Sequence, residues 1–118
     1  MSKTITLSAV ITAHREGLKL HKTILSVLES CKELEKNKYL YEIIIHIDKG
    51  DKDTVNYLKR YLGNDKFRIF QNSFGDLGTS RNFSAQKALG KYIAFIDGDD
   101  LISSNWFLSG LKALESSK

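Results

Sequence analysis

Glu42-Ile43-Ile44-Ile45-His46-Ile47 is a short, nearly unbroken run of β-branched apolar residues. A strand exposed on one face alternates apolar with polar, so a run of this kind suits a strand buried on both faces, as in parallel sheets covered by helices. The flanking segments agree with that reading. Upstream, Leu20, Ile24, Val27, Leu28 and Cys31 recur at helical spacing and predict a helix over about 18–35. Before it, Ile5, Leu7, Val10 and Ile11 are the apolar members of a first strand over 4–12. Downstream, Asp51 and Asp53 open a helix with core positions Val55, Leu58, Tyr61 and Leu62, stopped at Gly63-Asn64. A third strand is predicted over 67–71, a glycine-containing polar loop over 72–79, and a small-faced helix (Ser84, Ala85, Ala88) over 80–89 ending at Gly90. The fourth strand, 91–96, reads as buried, and Ser103 is placed to cap a last helix carrying Phe107, Leu108, Leu111 and Leu114. Strands alternating with helices imply right-handed crossovers and an α/β fold with a doubly wound, mainly parallel sheet.

At 118 residues, with 42% hydrophobic and 27% charged side chains, the chain has the size and balance of one globular domain. No apolar run approaches the roughly 20 residues that cross a bilayer. Residues 1–4 lead into the first strand with no secretory apolar region. The single cysteine, Cys31, offers neither an internal disulfide nor a metal pair and faces a helix core. A cytoplasmic setting is expected, with the inner face of a membrane as the alternative. The net charge of +4 is spread thinly: the basic residues of 32–38 alternate with glutamates, as on a solvated helix face. No basic stripe with interleaved aromatics marks a nucleic-acid surface. The absence of proline leaves turns to Gly, Asn and Asp.

In open α/β sheets ligands bind beyond the carboxyl ends of the strands. Those ends read Thr12-Ala13-His14-Arg15, Asp48-Lys49-Gly50-Asp51 and Asp97-Gly98-Asp99-Asp100, so polar and acidic residues gather at one rim. Three carboxylates within four residues repel one another, and a cation is a common compensation. All-oxygen ligands favour Mg²⁺ or Mn²⁺. Gly98 leaves space for a ligand beside the backbone. The same four residues also suit a plain surface turn, with Asp100 or Ser103 capping the next helix. Asp48 could accept hydrogen bonds from a ligand or form a turn. Arg81, at the start of its predicted helix, suits a phosphate or an ordinary surface position. His14, His21 and His46 lack metal-ligand spacing, and packing is the expected role of each, His14 included although it stands at a strand end. Trp106 and Phe107 are expected to be buried. An EF-hand is a poor fit because Leu108 stands at the twelfth position from Asp97. Gly75-Asp76-Leu77-Gly78 is neither a Walker loop nor a dinucleotide fingerprint, and no hydrolase nucleophile motif is present.

Together these segments resemble family 2 glycosyltransferases. Leu7-Ser8-Ala9-Val10-Ile11-Thr12-Ala13-His14-Arg15-Glu16 resembles an opening strand usually written V-I-P-T-Y-N-R/E, and Tyr41 to Asp48 resembles Y-E-I-I-V-V-D-D. Leu77-Gly78-Thr79-Ser80-Arg81-Asn82, followed by the stretch from Ala88 to Asp100, mirrors G-L-x-x-A-R-N and A-x-G-x-Y-I-x-F-L-D-x-D-D. Thr12 and His14 replace the usual Pro and Tyr, and Ile47 replaces the first Asp of the second motif. The resemblance implies a GT-A fold and transfer, usually inverting, of a sugar from a nucleoside diphosphate donor, most often uridine, to a saccharide or lipid-linked acceptor. It implies that Asp48 contacts the nucleotide base in a pocket lined by Thr12, Ala13 and His14, joined by Arg81 and Gly98. Asp97 would approach the ribose or the metal, and Asp99 would ligate Mn²⁺ or Mg²⁺. Family members continue into an acceptor-binding half carrying the catalytic base, so residues 1–118 are expected to be a single donor-binding domain cut before that half. An exposed sheet edge and self-association through it are then expected. A non-catalytic nucleotide-binding or interaction domain is the alternative. A phospho-acceptor signalling domain is a weaker one, because its paired acids should follow the first strand.

Overall fold

The computed structural model describes residues 4–117. The elements run β1 (Leu7–Ala13), α1 (Leu18–Lys36), β2 (Tyr41–Asp48), α2 (Lys52–Leu58), β3 (Phe67–Asn72), α3 (Leu77–Lys87), β4 (Tyr92–Asp97) and α4 (Trp106–Ser116), with a 3₁₀ turn at Lys59–Tyr61. All strand pairs are parallel, in the order β3-β2-β1-β4. The order reverses between β1 and its two neighbours, β2 and β4, and this places a switch point at the carboxyl end of β1.

The register sorts side chains onto two faces. Leu7, Ala9, Ile11 and Ala13 of β1 align with Tyr41, Ile43, Ile45 and Ile47 of β2. This face packs against Leu20, Ile24, Val27, Cys31 and Leu34 of α1, Leu58 of α2, and Phe107 and Leu111 of α4, forming the main core. The opposite face carries Ser8, Val10 and Thr12 beside Glu42, Ile44, His46 and Asp48, and α3 lies over it. Both faces of β1 and β2 are therefore buried throughout, as the isoleucine run demands.

Polar groups on the α3 face are paired within the sheet. The buried Glu42 carboxylate accepts from Ser8 Oγ at 2.6 Å, the Leu89 N–H at 2.6 Å and Arg68 Nη1 at 2.8 Å, linking β1, β2, β3 and the α3–β4 connection. Burial pushes this carboxyl up, yet these donors outweigh it and hold Glu42 below the ordinary range. His46, fully buried, bonds through Nε2 with Asn72 Oδ1 at 2.8 Å and lies against the rings of Phe74 and Phe83. Phe83 also meets Phe70 edge-on, so the inner face of α3 includes a large aromatic besides Ser80 and Ser84.

Several sequence expectations are corrected. β1 begins at Leu7, not Thr4, and residues 1–3 lie outside the described residues. α3 begins at Leu77, where the Asp76 side chain caps it by accepting the Thr79 N–H at 2.8 Å, and it ends at Lys87, after which Ala88 is extended. α2 tightens into the 3₁₀ turn at Lys59, before Gly63. Ser103 does not cap α4, since its hydroxyl donates to Asn105 Oδ1. Trp106 is 47% exposed, whereas Phe107 is buried as expected. Among the described residues β4 pairs on one side only, and the strand read as buried is partly exposed there, Ile93 and Phe95 at 38% each. Among the described residues no helix is long and apolar enough to cross a membrane.

Candidate functional site

The switch point is a cleft of about 240 Å³ lined by Thr12, Ala13, His14, Glu16, Asp48, Leu77, Ser80, Asp97, Gly98 and Asp99. Of the sequence-predicted site residues, Thr12, Ala13, His14, Asp48, Asp97, Gly98 and Asp99 thus line one space, and Arg81 reaches it through Asp97. Parallel pairing explains the convergence. Thr12 is in register with His46 and Asp97, so β1, β2 and β4 end at one level.

Asp48 is almost fully buried, and both carboxylate oxygens are engaged. Oδ1 accepts the N–H of Phe74 at 2.6 Å and of Gly75 at 3.0 Å. Oδ2 accepts the N–H of Gly75 at 3.0 Å, the N–H of Asp76 at 3.2 Å and the Ser80 hydroxyl at 3.2 Å. Gly75 takes φ 70°, a left-handed conformation that suits glycine and helps the successive N–H groups converge. Burial pushes the Asp48 carboxyl up, but the amides of Gly75 and Phe74, the Ser80 hydroxyl and the Asp76 amide together bring it below its ordinary value. Asp48 is therefore an anchor for the loop entering α3. The sequence offered ligand acceptor or turn former, and in this structure its lone pairs are spent on the loop.

Asp97 accepts Arg81 Nη2 at 3.3 Å and the Thr12 hydroxyl at 3.3 Å. Arg81 sits in the second turn of α3 rather than at its start, and its guanidinium also lies 5.7 Å from the centre of the Phe95 ring. Part of the charge at the acidic rim is thus compensated from within the protein, where the sequence reading weighed a bound cation against a plain surface turn. Arg81 Nε is buried with no hydrogen-bond partner.

His14 is exposed at the end of β1, contrary to the packing role expected for it, and is among the residues lining the cleft. His21 and His46 do pack, His21 bonding through Nδ1 with the Tyr57 hydroxyl at 2.6 Å. The sequence reading missed Glu16, Leu77 and Ser80 as lining residues. Glu16 accepts the His14 N–H at 2.5 Å, and a Cβ placed on Gly98 would come within 3.0 Å of its carboxyl carbon and of the Thr12 carbonyl oxygen. Glycine suits position 98 because protein atoms approach its backbone this closely, and a larger residue would make Glu16 or the Thr12 carbonyl give way by a few tenths of an ångström. The signal for Glu16 was its position four residues past Thr12, at the same strand end.

The donor set suits a hard divalent cation only in part. Asp97 and Asp99 share the cleft, while no group of three or more His, Cys, Asp and Glu among the described residues could hold a metal by itself. Mg²⁺ in particular binds one or two carboxylates together with substrate phosphates and water, so two acids fit an ion that arrives with a diphosphate.

A four-stranded parallel sheet with helices on both faces and an acid-lined cleft at its switch point defines the class: an open, doubly wound α/β domain. The sequence matches the family described as Glycosyl transferase family 2 over residues 8–118, and the chain belongs to that family. It is 31% identical over 97 residues to poly(ribitol-phosphate) beta-N-acetylglucosaminyltransferase TarP of Staphylococcus aureus strain N315, an alignment spanning 80% of this chain and 28% of the relative. It is 32% identical over 79 residues to the minor teichoic acid biosynthesis protein GgaB of Bacillus subtilis strain 168, spanning 64% of this chain and 9% of GgaB. The fold superposes on S. aureus TarS 1-349 in complex with UDP with a TM-score of 0.80 at 17% identity, covering 95% of this chain and 32% of that one. TarS 1-349 in complex with UDP-GlcNAc gives 0.77 at 15% identity, with the same coverage of each chain. The chain therefore spans less than a third of the length of these proteins.

Proposed function

We propose that this domain binds the nucleoside diphosphate sugar donor of a glycosyltransferase, with UDP as the nucleotide and Mn²⁺ or Mg²⁺ as the cofactor, for transfer to a saccharide or lipid-linked acceptor. The observation that carries this reading is the convergence of Thr12, His14, Asp48, Asp97 and Asp99 on one cleft at the switch point. Membership of the family and the UDP and UDP-GlcNAc complexes of TarS support it.

On this reading the base and ribose lie over the end of β1, against Thr12, Ala13 and His14, with the 74–77 loop as the opposite wall. Asp48 acts through that loop, by fixing the backbone that faces the base. Asp99 and Asp97 would hold the metal, which supplies Lewis-acid stabilisation of the charge on the departing nucleoside diphosphate. Arg81 stands beside Asp97, placed to exchange that carboxylate for a phosphate oxygen. The carboxylates of the cleft are all engaged or assigned in this scheme, and the base that deprotonates the acceptor is assigned to no residue of this chain.

Calorimetric titration of UDP with and without Mn²⁺ tests the proposal. Binding should be metal-dependent, and Asp99→Ala should weaken it by about tenfold or more, since one charge-assisted ligand is worth at least about 1.4 kcal/mol. Equal affinity in the variant would remove Asp99 from the metal site. No binding of any nucleoside diphosphate by the folded wild type would remove the donor reading altogether.

A further inference from the structure

Asp97 and Asp99, the acids assigned to the cation in the donor reading, belong to a turn. The Asp100 N–H bonds to the Asp97 carbonyl at 3.0 Å, which closes a β-turn with Gly98 and Asp99 at its two central positions. Neither central residue has a positive φ, as in a type I turn. The rival type II turn differs by a rotation of the central peptide, from the Gly98 carbonyl to the Asp99 N–H, and needs φ > 0 at Asp99. The closing hydrogen bond is common to both types and does not choose between them. Gly98 offers no Cβ to oppose the rotation. The choice matters because φ at Asp99 changes by about 170° between the two, and its carboxylate is redirected with it.

The central peptide is held from α1. Thr23, fully buried, donates its hydroxyl to the Gly98 carbonyl at 2.9 Å, across 75 residues of chain. A helical threonine can satisfy its hydroxyl on its own preceding turn, and Thr23 has that partner as well, the Lys19 carbonyl at 3.3 Å. The shorter bond goes to Gly98. Gly98 is itself buried, and a buried carbonyl without a donor is costly, so the need lies with the turn. Its amide is fixed from the other side, by the Thr12 carbonyl at 2.8 Å. Farther along α1, Ser26 accepts the Ile102 N–H at 3.2 Å and Ser30 accepts the Phe107 N–H at 3.1 Å. Spacings of three and four residues put these hydroxyls in one row, which guides the chain from the turn to the start of α4. Of the three, Thr23 bonds within the acidic motif.

We propose that Thr23 is a positioning residue of the donor site: its buried hydroxyl locks the central peptide of the Asp97–Asp100 turn and so keeps Asp99 at the cleft. The role rests on the donor reading, since Asp99 is held there for a cation that arrives with the diphosphate. Without the hydroxyl, the Gly98 carbonyl loses its donor. Turning the peptide away from α1 relieves that loss at the expense of φ at Asp99. The turn then samples both forms, and Asp99 is no longer preorganised.

Thr23→Val keeps the branched shape and removes the hydroxyl. Calorimetric titration of UDP in saturating Mn²⁺ is the first readout. Affinity should fall by about tenfold, as when a buried acceptor is left unpaired. Thr23→Ser, which keeps the hydroxyl, should bind within about twofold of wild type. Amide NMR spectra of the ligand-free protein are the second readout, because exchange between two turn forms is visible residue by residue. The signals of Gly98, Asp99 and Asp100 should broaden or double in Thr23→Val while those of β2 stay in place, a local signature that a merely structural threonine does not give. If Thr23→Val does not fold, Thr23→Cys, with only a weak donor, carries the same expectations. Single sharp signals from 98 to 100 in the folded variant overturn the proposal, and so does a Thr23→Ser protein as weak as Thr23→Val. UDP affinity unchanged by Thr23→Val overturns this role and leaves the donor reading standing. Wild type that binds no nucleoside diphosphate removes the donor reading and this role with it.

Discussion

Replacing Asp48 by asparagine keeps the shape of a nearly buried side chain and removes its charge and one of its two acceptor oxygens. The magnitude follows from the contacts. Three backbone amides and one hydroxyl converge on the carboxylate, at 2.6 to 3.2 Å. Hydrogen bonds to a charged group contribute about 1.5–3 kcal/mol each and neutral ones about 0.5–1.5. Asparagine keeps one oxygen and turns an N–H₂ group towards amides that need an acceptor. Two offsets limit the loss: water reaches the exposed 73–76 loop, and a buried amide costs less to desolvate than a carboxylate. The net loss is then about 3 kcal/mol. For a domain of this size that lowers Tm by about 10 °C. The pH dependence has a definite sign. Asp48 is held below its ordinary value when folded, so the unfolded chain binds the extra proton. Its contribution is complete above the unfolded carboxylate range, near about pH 4, and disappears as pH falls through the folded value. Thermal melts of wild type and Asp48→Asn from neutral pH downwards should therefore converge in acid. A variant that melts within about 2 °C of wild type at neutral pH, yet loses preference among nucleotides, would show that Asp48 reads the base directly and does not anchor the loop.

Glu42→Ala should cost about 3 kcal/mol, because it leaves Arg68 and the Leu89 amide without their acceptor. Glu42 is also held below the ordinary range, so the penalty in urea titrations should be full near neutral pH and shrink as pH falls through the folded value; a penalty independent of pH would refute the charged network. Burial pushes the Cys31 thiol up to about 12, and the side chain is inaccessible. Ellman's reagent at pH 8 should leave the native protein unmodified for as long as it stays folded and label it at once in denaturant, whereas rapid native labelling would place Cys31 outside the core.

What was legible in the sequence divides along physical lines. The isoleucines of β2 announce a strand buried on both faces because burial alone decides their identity, and β2 is central in the sheet. The same apolar language misled at β4. Ile93 and Phe95 look like core residues, but strand order is set by non-local pairing, and among the described residues that leaves β4 paired on one side only. Local composition does not carry this information. The start of α3 was readable in principle from Asp76 and Thr79, an N-cap pair hidden inside what looked like a glycine loop. The convergence of Thr12, Asp48 and Asp97 followed from the rule that ligands gather at strand carboxyl ends. The engagement of Asp48 did not, because its partners are mostly backbone amides 26 to 28 residues away, which leave no trace in side-chain identity.

The acidic rim also shows why residue type alone overstates the need for a metal. Asp97 already has a cation beside it, yet the pair is loose: Nη2 to Oδ1 is 3.3 Å, and the two side chains are 40% and 46% exposed. Ion pairs this open contribute at most about 1 kcal/mol after solvent screening. Arg81 Nε meanwhile is buried with no partner, a cost of about 1–3 kcal/mol until an acceptor reaches it. The guanidinium is thus only partly satisfied, through Nη2 on Asp97, and little is lost when Asp97 turns away from it. An anion that replaces Asp97 as the partner of the Arg81 guanidinium would release that carboxylate. A divalent cation arriving with that anion would take the released carboxylate. On the donor reading, cation and diphosphate therefore bind together, because each removes a cost that the other would otherwise leave in place.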